Sequence, residues 1–112
     1  PLPGFGHPLY PEGDPRGRLL LAMAAERCPA SPAVALARAV SQIAWDTLGL
    51  RPTIDFALEV TARALELPAQ AALALFALGR TIGWIGHASE QYGTGQLIRP
   101  RARYTGLPVR EI

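Results

Sequence analysis

Proline and glycine divide this sequence into segments of helical length, and their positions are the strongest constraint on its fold. Asp14-Pro15 and Ser31-Pro32 each place a capping side chain directly before a proline at the first helical position, and Gly49 supplies a helix stop. Apolar residues recur three and four apart between these signals, and they nowhere alternate at period two for long enough to form a strand. The pattern predicts an all-α domain of about four to five helices.

The boundaries follow from the same signals. We predict helices over about 15–28, 32–48 and 54–66, then a longer helix or two abutting ones over about 68–92. In the first helix one face is formed by Leu19, Ala22, Met23 and Arg27. Glycines 79, 83 and 86 interrupt the last segment and cost about 1 kcal/mol each relative to alanine. They also place small residues near one face, where another helix or a ligand could approach the backbone. Beyond Gly95 we expect an extended tail.

Composition indicates a globular chain of one domain. Of the 112 residues, 49% are hydrophobic and 18% are charged, which is far from the composition of disordered segments. All 11 basic residues are arginine, and where several converge they offer bidentate geometry to an acidic ligand. A net charge of +2 spread along the chain, with no basic run interleaved with aromatics, gives little support to nucleic-acid binding.

The compartment is predicted from cysteine usage and from apolar runs. Cys28 is the only cysteine, so the chain can form neither an internal disulfide nor a cysteine metal cluster, and a cytoplasmic location fits best. Charges or prolines interrupt every candidate for the roughly 18 to 20 apolar residues of a membrane span. The chain begins at Pro1 without a methionine, so we expect a fragment that lacks an N-terminal part.

A few side chains stand out as candidates for chemistry, although each has a structural alternative. His7 lies on a loop between glycines and could donate to a carbonyl, or could merely complete a turn. Asp55 in a first helical turn could be a reactive carboxylate or a plain cap. Arg80 interrupts an apolar run and needs either a ligand or an ion-pair partner. His87 and Glu90 lie three apart, yet without a third ligand nearby we predict a structural contact and no metal site.

The order of these residues is more specific than any one of them. The succession runs Pro-Gly-Phe-Gly-His, Gly-Asp-Pro-Arg, Ile-Asp-Phe, Leu-Gly-Arg-Thr-Ile-Gly-Trp-Ile-Gly-His and Ile-Arg-Pro-Arg-Ala-Arg-Tyr. In this order and spacing, over about residues 3–106, it resembles the citrate synthase family. The resemblance implies that 1–112 is the small, all-α domain of such an enzyme, whose large domain is absent.

The resemblance also implies a reaction and its residues. The family condenses acetyl-CoA with oxaloacetate, a step of the tricarboxylic acid cycle, with no cofactor beyond the coenzyme A thioester. By this resemblance His7 binds oxaloacetate and polarises its ketone, and Asp55 takes a proton from the acetyl methyl group. Oxaloacetate carboxylates would be held by Arg16 and Arg80, and Arg99 would reach into the site of a partner subunit. The main chain of Gly4, Phe5 and Gly6 would meet the adenine of coenzyme A.

Two departures from the family pattern qualify this interpretation. Thr53 stands two positions before Asp55, where the family usually has asparagine, which leaves a 2-methylcitrate synthase as an alternative. The family's second catalytic histidine belongs to the large domain, so the isolated chain is expected to be inactive. A non-catalytic module for coenzyme A binding or assembly is the rival interpretation. We expect the complete protein to be a homodimer or larger, with no nucleic-acid or membrane partner.

Overall fold

The computed structural model describes residues 2–96, and these form four α-helices joined by short connections. The helices are α1 (Pro15–Arg27), α2 (Pro32–Leu48), α3 (Ile54–Ala64) and α4 (Ala71–Thr94). The only extended pairing in this part of the chain is an isolated antiparallel bridge between Phe5 and Pro52. The predicted all-α class is therefore confirmed. The expected tail, with Arg99, lies outside the described residues.

Helices α1 and α2 begin at the predicted prolines, but only one of the two predicted capping side chains acts as a cap, because Ser31 makes no side-chain hydrogen bond at the start of α2. The carboxylate of Asp14 accepts a hydrogen bond from the Arg16 amide at 3.0 Å and so caps α1. Gly49 ends α2 in the left-handed conformation at φ 64°, which costs a glycine little. The segment predicted as one long helix or two abutting ones is a single helix, α4, in spite of its glycines.

Helix α3 ends earlier than the prediction of about residue 66. Glu66 adopts a left-handed φ of 54°, and the Leu67 amide donates to the Ala62 carbonyl at 2.9 Å. This backbone turn satisfies carbonyls that the end of the helix leaves free. Pro68 therefore follows a helix that has already stopped.

Helix α3 is the centre of the fold, because each of the other helices packs against it. The core is built from small side chains together with Phe5, whose ring lies 4.7 Å from that of Phe56. The buried apolar residues are Phe5, Ala24, Val34, Ala37, Ala44, Ala57, Val60 and Ala62. Alanines at these positions let the helix axes approach closely, at the cost of a small apolar area.

Much apolar surface stays open in the described residues. On the face of α1 predicted to be apolar, Leu19 is 64% exposed and Met23 is 50% exposed, whereas Gly17 and Ala24 form the buried side. No residue of α4 is buried. By length and composition α4 could also cross a membrane, since an 18-residue window of it has a mean hydropathy of 1.2. The charges and prolines of the sequence had predicted no such segment. On proteins in general, contiguous apolar patches are common at surfaces that contact another protein, a ligand or a membrane.

Candidate functional site

The candidate site lies where the N-termini of α1 and α3 meet, and Asp14 joins them. Its buried carboxylate accepts hydrogen bonds from the amides of Arg16 and Ile54, both at 3.0 Å. A single side chain therefore caps its own helix and the first turn of α3. The Thr53 side chain makes no capping hydrogen bond to α3, and its hydroxyl donates to the Gly4 carbonyl at 3.1 Å.

The guanidinium of Arg16 is held by the same carboxylate. Arg16 Nε donates to Oδ1 of Asp14 at 3.0 Å and Nη2 donates to Oδ2 at 2.9 Å. These charge-assisted bonds hold the pKa of Asp14 at about 2, below its ordinary 3.8, although burial of the carboxyl opposes the shift. They also raise the pKa of Arg16, to which the charge of Asp55 adds a smaller contribution. The Nη1 end of the guanidinium takes no part in this pair and can meet a ligand.

Arg16 and Arg80 lie on one concavity between α3 and α4. This concavity has a volume of about 270 Å³, and its other walls are Ile54, Leu58, Leu75, Phe76 and Gly79. Within residues 2–96 the Arg80 side chain makes neither a hydrogen bond nor an ion pair, and it is exposed. The ion pair to another helix that the sequence left open for Arg80 is therefore not found in this part of the chain. Two guanidinium groups at one apolar concavity can bind a small dianion.

His7 lies next to Tyr10, whose ring separates it from Arg16. Its ring centroid lies 5.0 Å from that of Tyr10, and the guanidinium carbon of Arg16 lies 5.5 Å from the Tyr10 centroid. Nδ1 of His7 accepts a hydrogen bond from the Leu9 amide at 3.1 Å. A neutral imidazole with this acceptor carries its proton on Nε2, which leaves Nε2–H as a donor.

Asp55 is exposed on the first turn of α3 and follows Ile54, a wall of the arginine-lined concavity. Its charge is the smallest of the causes that raise the pKa of Arg16. The structure thus brings Arg16, Arg80 and Asp55 to neighbouring positions, with His7 linked to them through Tyr10. The sequence did not predict Asp14 or Tyr10 as residues of the site. The Asp-Pro-Arg motif could have indicated Asp14, because it places the capping carboxylate two residues before the Arg16 guanidinium.

The loop of Gly4, Phe5 and Gly6 is tied to the segment before α3. The Gly4 carbonyl accepts from the Thr53 amide at 2.9 Å, and the Gly6 amide donates to the Arg51 carbonyl at 2.9 Å. Both glycines have positive φ, and a Cβ at Gly4 would lie 3.1 Å from Cβ of Phe56. Internal geometry thus already favours glycine at both positions, independently of any ligand.

The remaining candidates stay separate from this site. Nδ1 of His87 lies 3.5 Å from Oε2 of Glu90, and both side chains are exposed. Among the described residues no group of three or more potential ligands is placed to hold a metal ion. Arg99 lies outside the described part of the chain.

Comparison with known proteins decides the family. The protein-family model for the citrate synthase C-terminal domain matches residues 1–101 of this chain. The chain belongs to the citrate synthase family. This membership confirms the resemblance drawn from the order of the motifs.

Curated relatives in the citrate synthase family agree with this match. The chain is 37% identical over 106 residues to the citrate synthase of Haloferax volcanii, covering 92% of this chain and 28% of the relative. It is 40% identical over 112 residues to putative citrate synthase 2 of Mycobacterium tuberculosis, covering 94% and 30%. Against the citrate synthase of Saccharolobus solfataricus it is 34% identical over 121 residues, covering 98% and 31%. The chain thus spans about three tenths of the length of these relatives.

Proposed function

We propose that this chain is the small-domain part of an acyltransferase that condenses acetyl-CoA with oxaloacetate to give citrate and coenzyme A. The observation that carries the proposal is the shared concavity of Arg16 and Arg80, beside the helix turn that bears Asp55. Family membership supports the proposed reaction class. The neighbouring positions of Arg16, Arg80 and Asp55 support the roles proposed for them. The activity belongs to the complete protein, and the chain by itself is expected to be inactive.

In this proposal the two arginines hold the carboxylates of oxaloacetate. Arg16 offers its Nη1 end, because Asp14 occupies Nε and one side of Nη2. Since Asp14 already balances the charge of Arg16, most of the uncompensated positive charge comes from Arg80. A dicarboxylate supplies the negative charge that this exposed guanidinium lacks in residues 2–96. Fixing both ends of the substrate orients its ketone.

His7 and Asp55 then divide the chemistry. The Asp55 carboxylate takes a proton from the acetyl methyl group, and the resulting enol carbon attacks the ketone carbon of oxaloacetate. Negative charge grows on the ketone oxygen as the bond forms, and the Nε2–H of His7 donates to that oxygen. Hydrolysis of the citryl thioester then releases coenzyme A and citrate. The second histidine of the family's enolisation step would come from the large domain.

The loop of Gly4, Phe5 and Gly6 is proposed to meet the adenine of coenzyme A. In the described chain the carbonyl oxygens of Phe5 and Gly6 accept no hydrogen bond. They remain free to accept from the amino group of a purine. The bonds of this loop to Arg51 and Thr53 hold its backbone in one shape before a ligand arrives.

The open apolar surface is proposed to be covered by the large domain. Arg80 lies in the middle of α4, where a charge would be costly inside a bilayer, and one side of α4 packs against α3. We therefore favour protein contact over lipid for this helix.

Residence in the cytoplasm and assembly as a homodimer, with Arg99 completing the partner's site, stay predictions.

A first experiment assays the complete protein for thiol release from acetyl-CoA with oxaloacetate, and from propionyl-CoA in parallel. Asp55→Ala is expected to lower kcat by about 10²- to 10⁴-fold, the usual contribution of a positioned base. Asp46→Ala is the matched control, because Asp46 is an exposed helical carboxylate whose side chain, within residues 2–96, forms a hydrogen bond only with Gln42.

The outcomes separate the candidate functions. A wild-type protein that releases no thiol from either thioester would leave the non-catalytic module as the explanation. Faster reaction with propionyl-CoA would assign a 2-methylcitrate synthase, for which Thr53 in place of the usual asparagine is the motivating residue. Undiminished activity of Asp55→Ala would refute its role as the base.

A further inference from the structure

Gly83 lies on α4 one turn after Arg80, and the Arg80 side chain occupies the space beside it. A Cβ placed on Gly83 would lie 2.9 Å from Nη1 of Arg80 and 3.4 Å from Cζ. The guanidinium therefore lies along the helix over the bare backbone of residue 83. From there Arg80 borders the concavity that it shares with Arg16.

The other glycines of α4 differ from Gly83 in this respect. A Cβ at Gly79, Gly86 or Gly93 would meet nothing within 4 Å among the described residues. Gly83 is not among the glycines with positive φ, so its backbone conformation does not require glycine. Glycine inside a helix costs about 1 kcal/mol relative to alanine. The contact that accounts for glycine at residue 83, within the described chain, is the Arg80 guanidinium.

We propose that Gly83 is a positioning residue for Arg80, which sets the direction in which this guanidinium meets a substrate carboxylate. The inference rests on the proposed function and adds to it a residue that need not touch the substrate. A methyl group at 83 would stand closer to Nη1 than side-chain carbons normally do, so the guanidinium must move. Because the end of an arginine is flexible, the displacement changes its orientation and leaves the helix intact.

If Gly83 has this role, Gly83→Ala should stabilise the protein and weaken substrate binding. Replacement of Gly83 by alanine favours the helix, because alanine loses less backbone entropy on folding. The same replacement moves Arg80 away from its place beside the concavity. A glycine needed for close packing of another helix would behave differently, since its replacement would destabilise the protein.

The experiment compares Gly83→Ala with Gly86→Ala in the complete protein, in wild-type and Arg80→Ala backgrounds. Thermal unfolding, KM for oxaloacetate and KM for acetyl-CoA are measured for each variant. Both glycine variants are expected to unfold at or above the wild-type temperature. Gly83→Ala alone should raise KM for oxaloacetate, by about tenfold, as for a weakened charge-assisted hydrogen bond. KM for acetyl-CoA should not change.

The Arg80→Ala background tests the mechanism of the effect. There Gly83→Ala should leave KM for oxaloacetate unchanged, because the two substitutions act through the same guanidinium. An equal effect in both backgrounds, an unchanged KM in an active enzyme, or a lowered unfolding temperature would each overturn the inference. A wild-type protein without condensation activity would overturn the proposed function, and this inference with it.

Discussion

Asp14 does the most at the scale of a single residue, because one buried carboxylate satisfies groups on two helices and a guanidinium. It accepts from the amides of Arg16 and Ile54 and pairs with the Arg16 side chain through both oxygens. Its side chain has no exposed area, so water could not replace a lost hydrogen-bond donor and the carboxylate oxygen would be left unsatisfied. Asp14 thus fixes a proposed substrate ligand, Arg16, and the helix start beside the proposed base, Asp55.

Stability should respond to pH through Asp14. Its folded pKa of about 2 lies below the ordinary 3.8, so the stabilisation is complete above about pH 4 and is lost as the pH falls toward 2. Since Arg16 is half exposed, we expect a contribution of about 1–2 kcal/mol. Asp14→Asn should therefore lower the free energy of unfolding at neutral pH and flatten its decline between pH 4 and 2.

Denaturant unfolding of the complete protein at a series of pH values checks this prediction. Asp46→Asn serves as the control, because among the described residues this exposed carboxylate accepts only from Gln42, at 2.8 Å. KM for oxaloacetate should also rise in Asp14→Asn, since the Arg16 guanidinium loses one of the two oxygens that fix its position. An acid profile identical to that of the wild type would show that the carboxylate does not contribute as proposed.

At the scale of the elements, the contact of α1 with α3 positions the site. Gly17 is buried in this contact, and a Cβ on it would lie 2.8 Å from both the carbonyl carbon and the oxygen of Thr53. These are backbone atoms, which cannot rotate away as the end of a side chain can. The absence of a side chain at Gly17 therefore lets α1 approach the start of α3 closely enough for Asp14 to cap it.

Gly17→Ala should accordingly separate the two helices. We expect the free energy of unfolding of the complete protein to fall by about 1–3 kcal/mol, as for other overpacked sites. Gly93→Ala is the matched control, because Gly93 lies in a helix and a Cβ there meets nothing within 4 Å in the part of the chain that the structure describes. A thermal midpoint as high for Gly17→Ala as for Gly93→Ala would contradict the close approach.

At the scale of the whole molecule, the apolar surface exceeds what these four helices cover among themselves. Leu19 on α1 and Ile82 on α4 are 64% and 79% exposed, and alanines form most of the buried core. The relatives are more than three times as long as the segment that matches this chain. The remaining length in such proteins provides a natural cover, and it supports the proposal that a large domain packs here.

Assembly can be tested by mixing two inactive variants of the complete protein. If Arg99 completes the site of the partner subunit, a hybrid of Asp55→Ala and Arg99→Ala contains one site with both residues intact. Random reassociation should restore about a quarter of the wild-type activity, since half of the dimers are hybrids with one working site. Two copies of Asp55→Ala provide the control. No recovery in verified hybrids would place Arg99 in the site of its own subunit.

The sequence by itself determined the helices, because their signals are local. Asp14-Pro15 starts a helix and Gly49 stops one through bonds and dihedral angles within a few residues. The order of motifs also indicated the family. Only the tertiary structure decided that Asp14 caps α3 as well as α1 and that Thr53 bonds to Gly4. These contacts depend on how helices and side chains meet in space, which periodicity along the chain does not specify.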